Sequence, residues 1–289
     1  MKAKTTILSP SLEQYEVTEL LGSGATGDVY KAIRYRDNQL VAIKFLKRVD
    51  YPSLVHFQRE LWAYREFNNC PLIVNLLDCD LATDRPYLVL EFCTYGSARE
   101  KLDFLVSFPK TTLALVTHVA AALEEIHQRG CIYRDLKPDN LLLTNDGAGN
   151  LVMKLGDTGL ICLPGEFGQF AATRTPAGTL PYMAPELFKD GNRYTRAAEV
   201  FALGVTVQEL LTGVRPAPGT VISSGPIEVR TLIQNMIAAE PSARPTIREV
   251  RTELVRAHRL LARKDKITLT VLCGALIMLS LAFWLKPKK

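Results

Sequence analysis

The sequence predicts an α+β fold in two lobes, followed by one helix long enough to span a membrane. Alternating apolar residues predict short antiparallel strands within residues 15–92, with one helix among them. Within residues 93–262 the apolar spacing is mostly helical. Nineteen residues without a charge, 267–285, lie near the C-terminus. A sheet followed by helices indicates two lobes of one unit.

Composition limits the class of protein. The chain has 289 residues, of which 47% are hydrophobic and 22% charged, so it can bury a core and is not disordered by composition. The net charge of +5 comes largely from the last forty residues and predicts no nucleic-acid partner. The six cysteines show no metal-binding spacing, which favours thiols in a reducing compartment. No apolar stretch follows Lys2 and Lys4, so no secretory signal is expected.

The N-terminal lobe is predicted at residues 15–92, after an N-terminal extension at 1–14. Two strands flank a Gly-rich turn within 15–38, and a third begins at Leu40. The remaining elements of this lobe are a helix and two strands, predicted at His56–Phe67, Ile73–Asp78 and Tyr87–Phe92.

The C-terminal lobe is predicted at residues 93–262 and to be mainly helical. Gly130 and Gly213 follow two of its helices at positions typical of a helix end. The four predicted helices are Leu113–Gln128, Ala197–Thr212, Ile227–Ala239 and Thr246–Ala262.

Residues 267–285 are predicted to form a transmembrane helix, between a basic juxtamembrane segment at 263–266 and a short basic tail at 286–289. At ~1.5 Å per residue this run spans roughly 28 Å, about the hydrocarbon thickness of a bilayer. A buried core helix is the alternative, but Trp284 and the flanking lysines are typical of membrane interfaces. The larger number of basic residues before the run favours a cytosolic N-terminal side.

A glycine-rich segment carries the first chemical signal. Gly22, Gly24, Gly27 and Val29 fit the pattern Gly-x-Gly-x-x-Gly-x-Val, which alone is weak. A dinucleotide-binding turn would need a helix to follow, whereas here a strand continues. A hairpin whose backbone covers phosphates fits better.

Lys44 ends an apolar strand seventeen residues after Gly27. A solvated strand end is the ordinary interpretation of such a lysine, but behind a Gly-rich hairpin it is a candidate phosphate ligand. Its partner in the helix is either Glu60 or Glu66, and Glu60 leaves the expected gap before the next strand. An exposed helix surface is the alternative for Glu60.

The segment Asp135-Leu-Lys137-Pro-Asp-Asn140 combines three functional groups within six residues. Phosphoryl transfer needs a general base, a cation near the moving group and an oxygen ligand for magnesium. The segment follows a helix and precedes an apolar strand, so it is predicted to be a loop held by rigid flanks.

With these motifs the chain resembles the eukaryotic-type serine/threonine protein kinase family over residues 15–262. The resemblance implies that Asp135 is the catalytic base and Lys137 the γ-phosphate lysine. It implies that Lys44 binds the α- and β-phosphates with Glu60 as its partner. The implied metal ligands are Asn140 and Asp157. The implied nucleotide-binding residues are Leu21, Gly22, Gly24, Gly27, Val29, Ala42, Lys44, Leu90, Glu91 and Cys93.

Further residues resemble the serine/threonine branch of the family. Lys137 stands two residues after Asp135, and the position of Thr179 implies a hydroxyl contact with both. Arg244 matches the arginine that pairs with Glu186, either as a surface ion pair or, as its position favours, as a buried bridge.

Three residues depart from the family pattern. Tyr133 replaces a histidine, Thr158 replaces the phenylalanine of Asp-Phe-Gly, and Glu199 replaces an aspartate that braces the catalytic loop. They put active-state packing in question and leave the ligand set intact. Tyr64, four residues after Glu60, is a candidate to fill part of the gap at Thr158.

Arg134 next to Asp135 implies control by phosphate on the activation segment. Thr173 and Thr175, on either side of Arg174, are the candidate sites. The alternatives are that both threonines are solvated loop residues, or that Glu166 pairs with Arg134.

The resemblance implies an enzyme that uses ATP and Mg²⁺, with Mn²⁺ as an alternative ion, to phosphorylate protein serines and threonines. With the predicted helix it would be a single-pass, C-terminally anchored protein with the lipid bilayer as a partner and its kinase domain facing the cytoplasm. A membrane-anchored pseudokinase that serves as a scaffold is the main alternative, and a small-molecule kinase is a weaker one. The complete set of Lys44, Asp135, Asn140 and Asp157 favours the active enzyme.

Overall fold

The computed structural model describes residues 5–24, 26–162, 178–189, 194–216 and 221–263. Its N-terminal part is a six-stranded antiparallel sheet in the order β1-β2-β3-β4-β6-β5. The strands are β1 Thr5–Leu8, β2 Gln14–Ser23, β3 Gly27–Arg34, β4 Gln39–Leu46, β5 Leu76–Asp80 and β6 Tyr87–Glu91.

The predicted N-terminal extension contributes the edge strand β1 to this sheet. Its four residues pair with β2 in antiparallel register, and Ile7 packs against a core cluster that includes Tyr15. The Tyr15 hydroxyl donates to Asp78 at 3.1 Å, which ties β2 to β5 across the sheet. The residues of β1, Thr-Thr-Ile-Leu, do not alternate between polar and apolar, so they lack the pattern that predicts a strand.

One helix, α1, Tyr51–Glu66, packs on the sheet. It begins five residues before the predicted start because Asp50 caps it, accepting a hydrogen bond from the Ser53 N–H at 2.9 Å. A proline in the first turn suits this start. Phe57, Leu61 and Tyr64 form the buried face of the helix.

The C-terminal part is mainly helical, as predicted. A small sheet in the order β7-β8-β9 lies beside the helices. Its strands are β7 Gly96–Ser97, β8 Leu141–Asn145 and β9 Leu151–Leu155. The helices are α2 Leu102–Ser107, α3 Pro109–Gln128, α4 Arg196–Thr212 and α5 Ile227–Met236, with α6 over residues 247–263.

The short helix α2 was not predicted from the sequence. Several other elements have bounds that differ from the predicted ones. α3 begins at Pro109 rather than Leu113, since proline is well accommodated in a first turn. α5 ends at Met236, where the N–H of Ile237 turns back to the carbonyls of Ile233 and Asn235. The strand predicted at Ile73–Asp78 runs over Leu76–Asp80.

The core of this lobe surrounds α4, in which every residue from Ala198 to Leu211 is buried. Arg244 reaches this helix and pairs with Glu186 through two hydrogen bonds of 2.6 and 2.8 Å. The Arg244 side chain is fully buried, so the prediction of a buried bridge is confirmed. This fork of two charge-assisted bonds fixes the segment before α4 to the core.

Within the ranges the structure describes, no helix combines the length and apolar character needed to cross a bilayer. The predicted transmembrane segment at 267–285 and the tail at 286–289 lie outside those ranges.

Candidate active site

The catalytic loop lies between α3 and β8, and two buried side chains hold its backbone. Arg134 adopts a left-handed conformation with φ of 73°, and its N–H donates to Glu199 at 2.7 Å. Tyr133 is buried, and its hydroxyl donates to the carbonyl of Gly156. The loop that carries Asp135 is therefore tied both to α4 and to the segment before Asp157.

Asp135, Lys137 and Thr179 form a closed ring of hydrogen bonds. Lys137 Nζ lies 2.8 Å from Asp135 Oδ2 and 2.8 Å from Thr179 Oγ1. The Thr179 hydroxyl donates to Asp135 Oδ1 at 2.8 Å. The predicted contact of Thr179 with both residues is confirmed. This geometry sets a carboxylate and an ammonium group at hydrogen-bond distance from the same hydroxyl, as general-base chemistry on an alcohol requires.

Asn140 is held by the same carboxylate. Its amide nitrogen donates to the backbone carbonyl of Asp135 and to Asp135 Oδ2, each at 2.8 Å. With both N–H groups used, the amide oxygen is the atom of Asn140 left for a ligand.

Lys44 joins the two lobes. Its Nζ lies 2.6 Å from Glu60 Oε1 and 3.0 Å from Asp157 Oδ1. Glu66, the rival partner, instead contacts Arg129 at 3.0 Å. The choice of Glu60 from its spacing agrees with this arrangement.

Burial and charge act in opposite directions on these three groups. Burial acts to lower the pKa of Lys44, but the carboxylates of Glu60 and Asp157 hold it above its ordinary value. Burial raises the pKa of Glu60 to about 7, against the opposing effect of Lys44. For Asp157 the partial loss of water acts to raise the pKa, but the Lys44 charge together with hydrogen bonds from Lys44 and the Gly159 N–H outweighs it, so the pKa lies below its usual value.

Thr158 is buried beside this cluster. Its hydroxyl lies 3.4 Å from the Glu60 carbonyl oxygen, so it contacts α1 directly. Tyr64 and Tyr133 are also almost fully buried, and a hydrogen bond links the Tyr64 hydroxyl to the backbone of Thr158. Tyr64 therefore reaches the backbone at Thr158, while its filling of the gap left by the small side chain stays a prediction.

The glycine-rich turn joins β2 and β3. Gly22 pairs with Val29 in this hairpin, and the Gly24 N–H donates to the Gly27 carbonyl at 2.9 Å. Lys47 donates to the Gly24 carbonyl at 2.7 Å and so fixes the loop to β4. Lys47 could not be predicted from its sequence context, because an exposed lysine after an apolar strand is common.

The nucleotide-binding candidates from β4 and β6 share one cluster. Ala42 lies opposite Leu90 in the sheet, and both pack with Cys93. Burial raises the pKa of the Cys93 thiol to about 12, so this side chain is a neutral wall residue. Leu142 packs on the same cluster, and sequence reasoning missed it although it lies two residues after Asn140. Leu21 is 42% exposed at the end of β2.

Glu91 makes an ion pair that the sequence did not predict. Lys154 on β9 donates to its two carboxylate oxygens at 2.6 and 2.7 Å. The connection after β6 is thereby fixed to the strand that leads to Asp157. The two residues are 63 positions apart, and no local sequence pattern predicts a pair at that separation.

The donor set fits a hard divalent cation. Lys44 and the Gly159 N–H both contact Asp157 Oδ1, which leaves Oδ2 for a metal. The Asn140 amide oxygen adds a second oxygen donor, which is neutral. Magnesium in phosphate-transfer sites takes few protein oxygens and completes its shell with phosphate and water. Asn140 and Asp157 are the residues that would hold it.

The candidate phosphorylation sites Thr173 and Thr175, together with Arg174 and Glu166, lie outside the described residues. Arg134 Nε donates to the carbonyl of Leu160 at 2.6 Å, so this side chain is directed toward the start of that segment.

The protein kinase domain family matches residues 15–255. The chain therefore belongs to the protein kinase family. The order of lobes, the Lys44–Glu60 pair and the Asp135 loop are all found within the matched residues.

Several curated relatives carry serine/threonine kinase names. The chain is 29% identical over 255 residues to serine/threonine-protein kinase dst1 of Dictyostelium discoideum, covering 82% of this chain and 34% of that protein. It is 32% identical over 210 residues to serine/threonine-protein kinase PknL of Mycobacterium tuberculosis, covering 71% of this chain and 51% of that protein. The chain thus spans about a third to a half of these relatives.

Proposed function

We propose that this protein is a serine/threonine protein kinase that transfers the γ-phosphoryl group of ATP to protein hydroxyls. We further propose that it is anchored by residues 267–285, with the kinase domain facing the cytoplasm. The observation that carries the catalytic part is the joint geometry of two clusters: Lys44 between Glu60 and Asp157, and Asp135 in its ring with Lys137 and Thr179.

Each residue has a distinct task in this proposal. Asp135 accepts the proton of the attacking hydroxyl, at the oxygen that now receives the Thr179 hydroxyl. Lys137 neutralises charge on the transferred group, and Lys44 orients the remaining phosphates. Mg²⁺, or Mn²⁺ in its place, would be held by Asn140 and Asp157 and would supply charge neutralisation of the phosphates.

The substrate class is inferred from the same ring. A threonine hydroxyl of the chain itself lies within hydrogen-bond distance of both Asp135 and Lys137, so an aliphatic alcohol fits between them. The names of the relatives support serine and threonine as acceptors. The chain retains Lys44, Asp135, Asn140 and Asp157, and this complete set argues against the scaffold alternative.

The membrane anchor is inferred from sequence alone. An uncharged run of nineteen residues is long enough for a bilayer, and lysines flank it on both sides. ATP is available on the cytosolic face of the membrane. The basic residues before the uncharged run favour the same side for the kinase domain.

The catalytic proposal is tested with the full chain purified in detergent and supplied with labelled ATP and Mg²⁺. Asp135→Asn and Asp157→Asn should each abolish label on a basic protein substrate, while Asp103→Asn, a change at an exposed acid, should leave it intact. Phosphoamino-acid analysis should find phosphoserine or phosphothreonine. Wild-type protein that binds ATP and transfers nothing would support the scaffold instead.

The anchor is tested by fractionation. Wild-type protein should stay with membranes after alkaline extraction, whereas deletion of residues 267–289 should release it. A deleted chain that remains membrane-bound after alkali would show that the anchor lies elsewhere.

A further inference from the structure

Helix α6 places five arginines on one exposed face. Ile247, Val250, Leu254 and Ala257 form the opposite face and are buried in the C-lobe core. The exposed side chains are Arg248, Arg251, Arg256, Arg259 and Arg263. Their spacing of three to five residues keeps them on one broad side of the helix, which we call the arginine face.

The arginine face borders an open groove of about 720 Å³ between α6 and α3. All five arginines line this groove, and Glu124 of α3 is its one acidic lining residue. Val255 and Leu260 are its apolar lining residues, and Leu260 is 39% exposed. Such a groove suits a ligand that has an anionic head group next to an apolar part.

The positive charge of the groove is largely uncompensated. Glu124 pairs with Arg251 at 2.5 Å, and Glu253 pairs with Arg256 at 3.5 Å. For Arg248, Arg259 and Arg263 no ion pair is found with any residue that the structure describes. These three exposed guanidinium groups can therefore each pair with an anionic group of a partner.

The position of the arginine face in the chain indicates which partner it binds. Arg263 precedes Ile267, the first residue of the uncharged run, by four residues, a span of at most about 14 Å of extended chain. If residues 267–285 cross a bilayer, the last turns of α6 lie within reach of its headgroups. Guanidinium groups bind phosphates through paired hydrogen bonds and attract anionic lipids.

We propose that the arginine face binds anionic phospholipid headgroups and holds the C-lobe against the cytoplasmic leaflet. This inference rests on the proposed membrane anchor, and goes beyond it: the anchor alone would tether the domain without fixing which surface faces the lipid. Binding at the arginine face makes one orientation of the kinase on the membrane favourable.

The first test uses the full chain in lipid nanodiscs of phosphatidylcholine, alone or with phosphatidylserine. Modification of arginines by phenylglyoxal, read by mass spectrometry, should be slowed at Arg248, Arg259 and Arg263 only when phosphatidylserine is present. Arg36 and Arg48 in the N-terminal lobe should react equally in both discs. Equal reactivity at the arginine face in both discs would overturn the proposal.

The second test separates the face from the anchor. Leu276→Asp/Ile277→Asp in the full chain should disable insertion, and the resulting protein should still bind phosphatidylserine vesicles in a salt-dependent way. Adding Arg248→Gln/Arg259→Gln/Arg263→Gln should weaken that binding about fivefold per arginine, or roughly a hundredfold in all. The matched control Arg36→Gln/Arg48→Gln/Lys101→Gln removes the same charge and should weaken it far less.

The outcomes distinguish the two proposals. Release of the wild-type chain by alkali would refute the anchor, while vesicle binding by the insertion-disabled protein would still report on the arginine face. Equal losses in the two triple variants would mean that net charge alone drives binding, which overturns a specific face. Protection of the three arginines by an acidic peptide and not by phosphatidylserine would also overturn it. Unchanged kinase activity toward a soluble substrate shows that each variant is folded.

Discussion

The carboxylate of Glu199 accepts a hydrogen bond from the backbone N–H of Arg134 at 2.7 Å. The other oxygen of this carboxylate lies 2.6 Å from His127 Nε2 on α3. Glu199 is fully buried, so both contacts are made away from water. The glutamate that departs from the family pattern thus still braces the catalytic loop, and His127 orients it.

This pairing predicts the effect of removing His127. His127→Phe leaves a buried carboxylate oxygen without its partner, which should cost about 1–3 kcal/mol of stability and lower kcat because the brace on Arg134 loosens. Denaturant unfolding and steady-state kinetics measure both effects. The control His56→Phe changes an exposed histidine and should do neither. In a Glu199→Gln background the effect of His127→Phe should shrink, since no buried charge remains, and equal effects in both backgrounds would rule out this coupling.

Local sequence patterns predicted much of the fold and the candidate site. Most of the longer strands and helices follow apolar periodicity, although β1 and α2 were not predicted. Lys44, Asp135 and Asn140 lie in short sequence motifs. The contact of Thr179 with Lys137 was also accessible, because it follows from a motif position.

The missed residues act over long sequence separations. Lys154 reaches Glu91 across the chain, and His127 contacts Glu199 from another helix. A lysine in a strand or a histidine at a helix end carries no mark of its partner until the chain is folded. Leu142 was missed for a different reason: a leucine in an apolar strand is indistinguishable by pattern from any core residue.

A larger side chain at position 158 should lower both stability and activity. Thr158 is 1% exposed, and the buried Tyr64 hydroxyl reaches its backbone, so phenylalanine there should overpack the site and cost typically 1–3 kcal/mol. Thr158→Phe should therefore lower both the unfolding midpoint and kinase activity. Thr158→Val keeps the volume but loses the hydroxyl that contacts the Glu60 carbonyl, so it should cost about 0.5–1.5 kcal/mol without overpacking the site. Tyr64→Leu combined with Thr158→Phe should recover activity, and no recovery in the double variant would show that overpacking is not the cause.

Alanine substitutions at two glycines of the glycine-rich turn should have different effects, one on stability and the other on ATP binding. A Cβ at Gly27 would lie 2.5 Å from the Phe45 carbonyl oxygen, whereas a Cβ at Gly22 meets nothing within 4 Å. Gly27→Ala must therefore move β3 away from β4 and should lower stability by about 1–3 kcal/mol. Gly22→Ala should leave the unfolding transition unchanged, and any effect should appear as a raised KM for ATP. Thermal unfolding of both variants, beside ATP titrations, checks this contrast, which equal destabilisation by the two changes would contradict.

The charge of Glu60 should make activity depend on pH. Burial raises the pKa of Glu60 to about 7, so the carboxylate that holds Lys44 gains a proton as the pH falls through that value. The neutral acid no longer fixes the ammonium group, and kcat/KM for ATP should decline below about pH 7 and level off above it. ATP itself takes up a proton nearby in pH, so Glu60→Gln supplies the comparison. This variant should be less active at every pH and should lose the part of the acid limb that belongs to Glu60. The same acid limb in both proteins would assign the pH dependence to the nucleotide rather than to the Lys44–Glu60 pair.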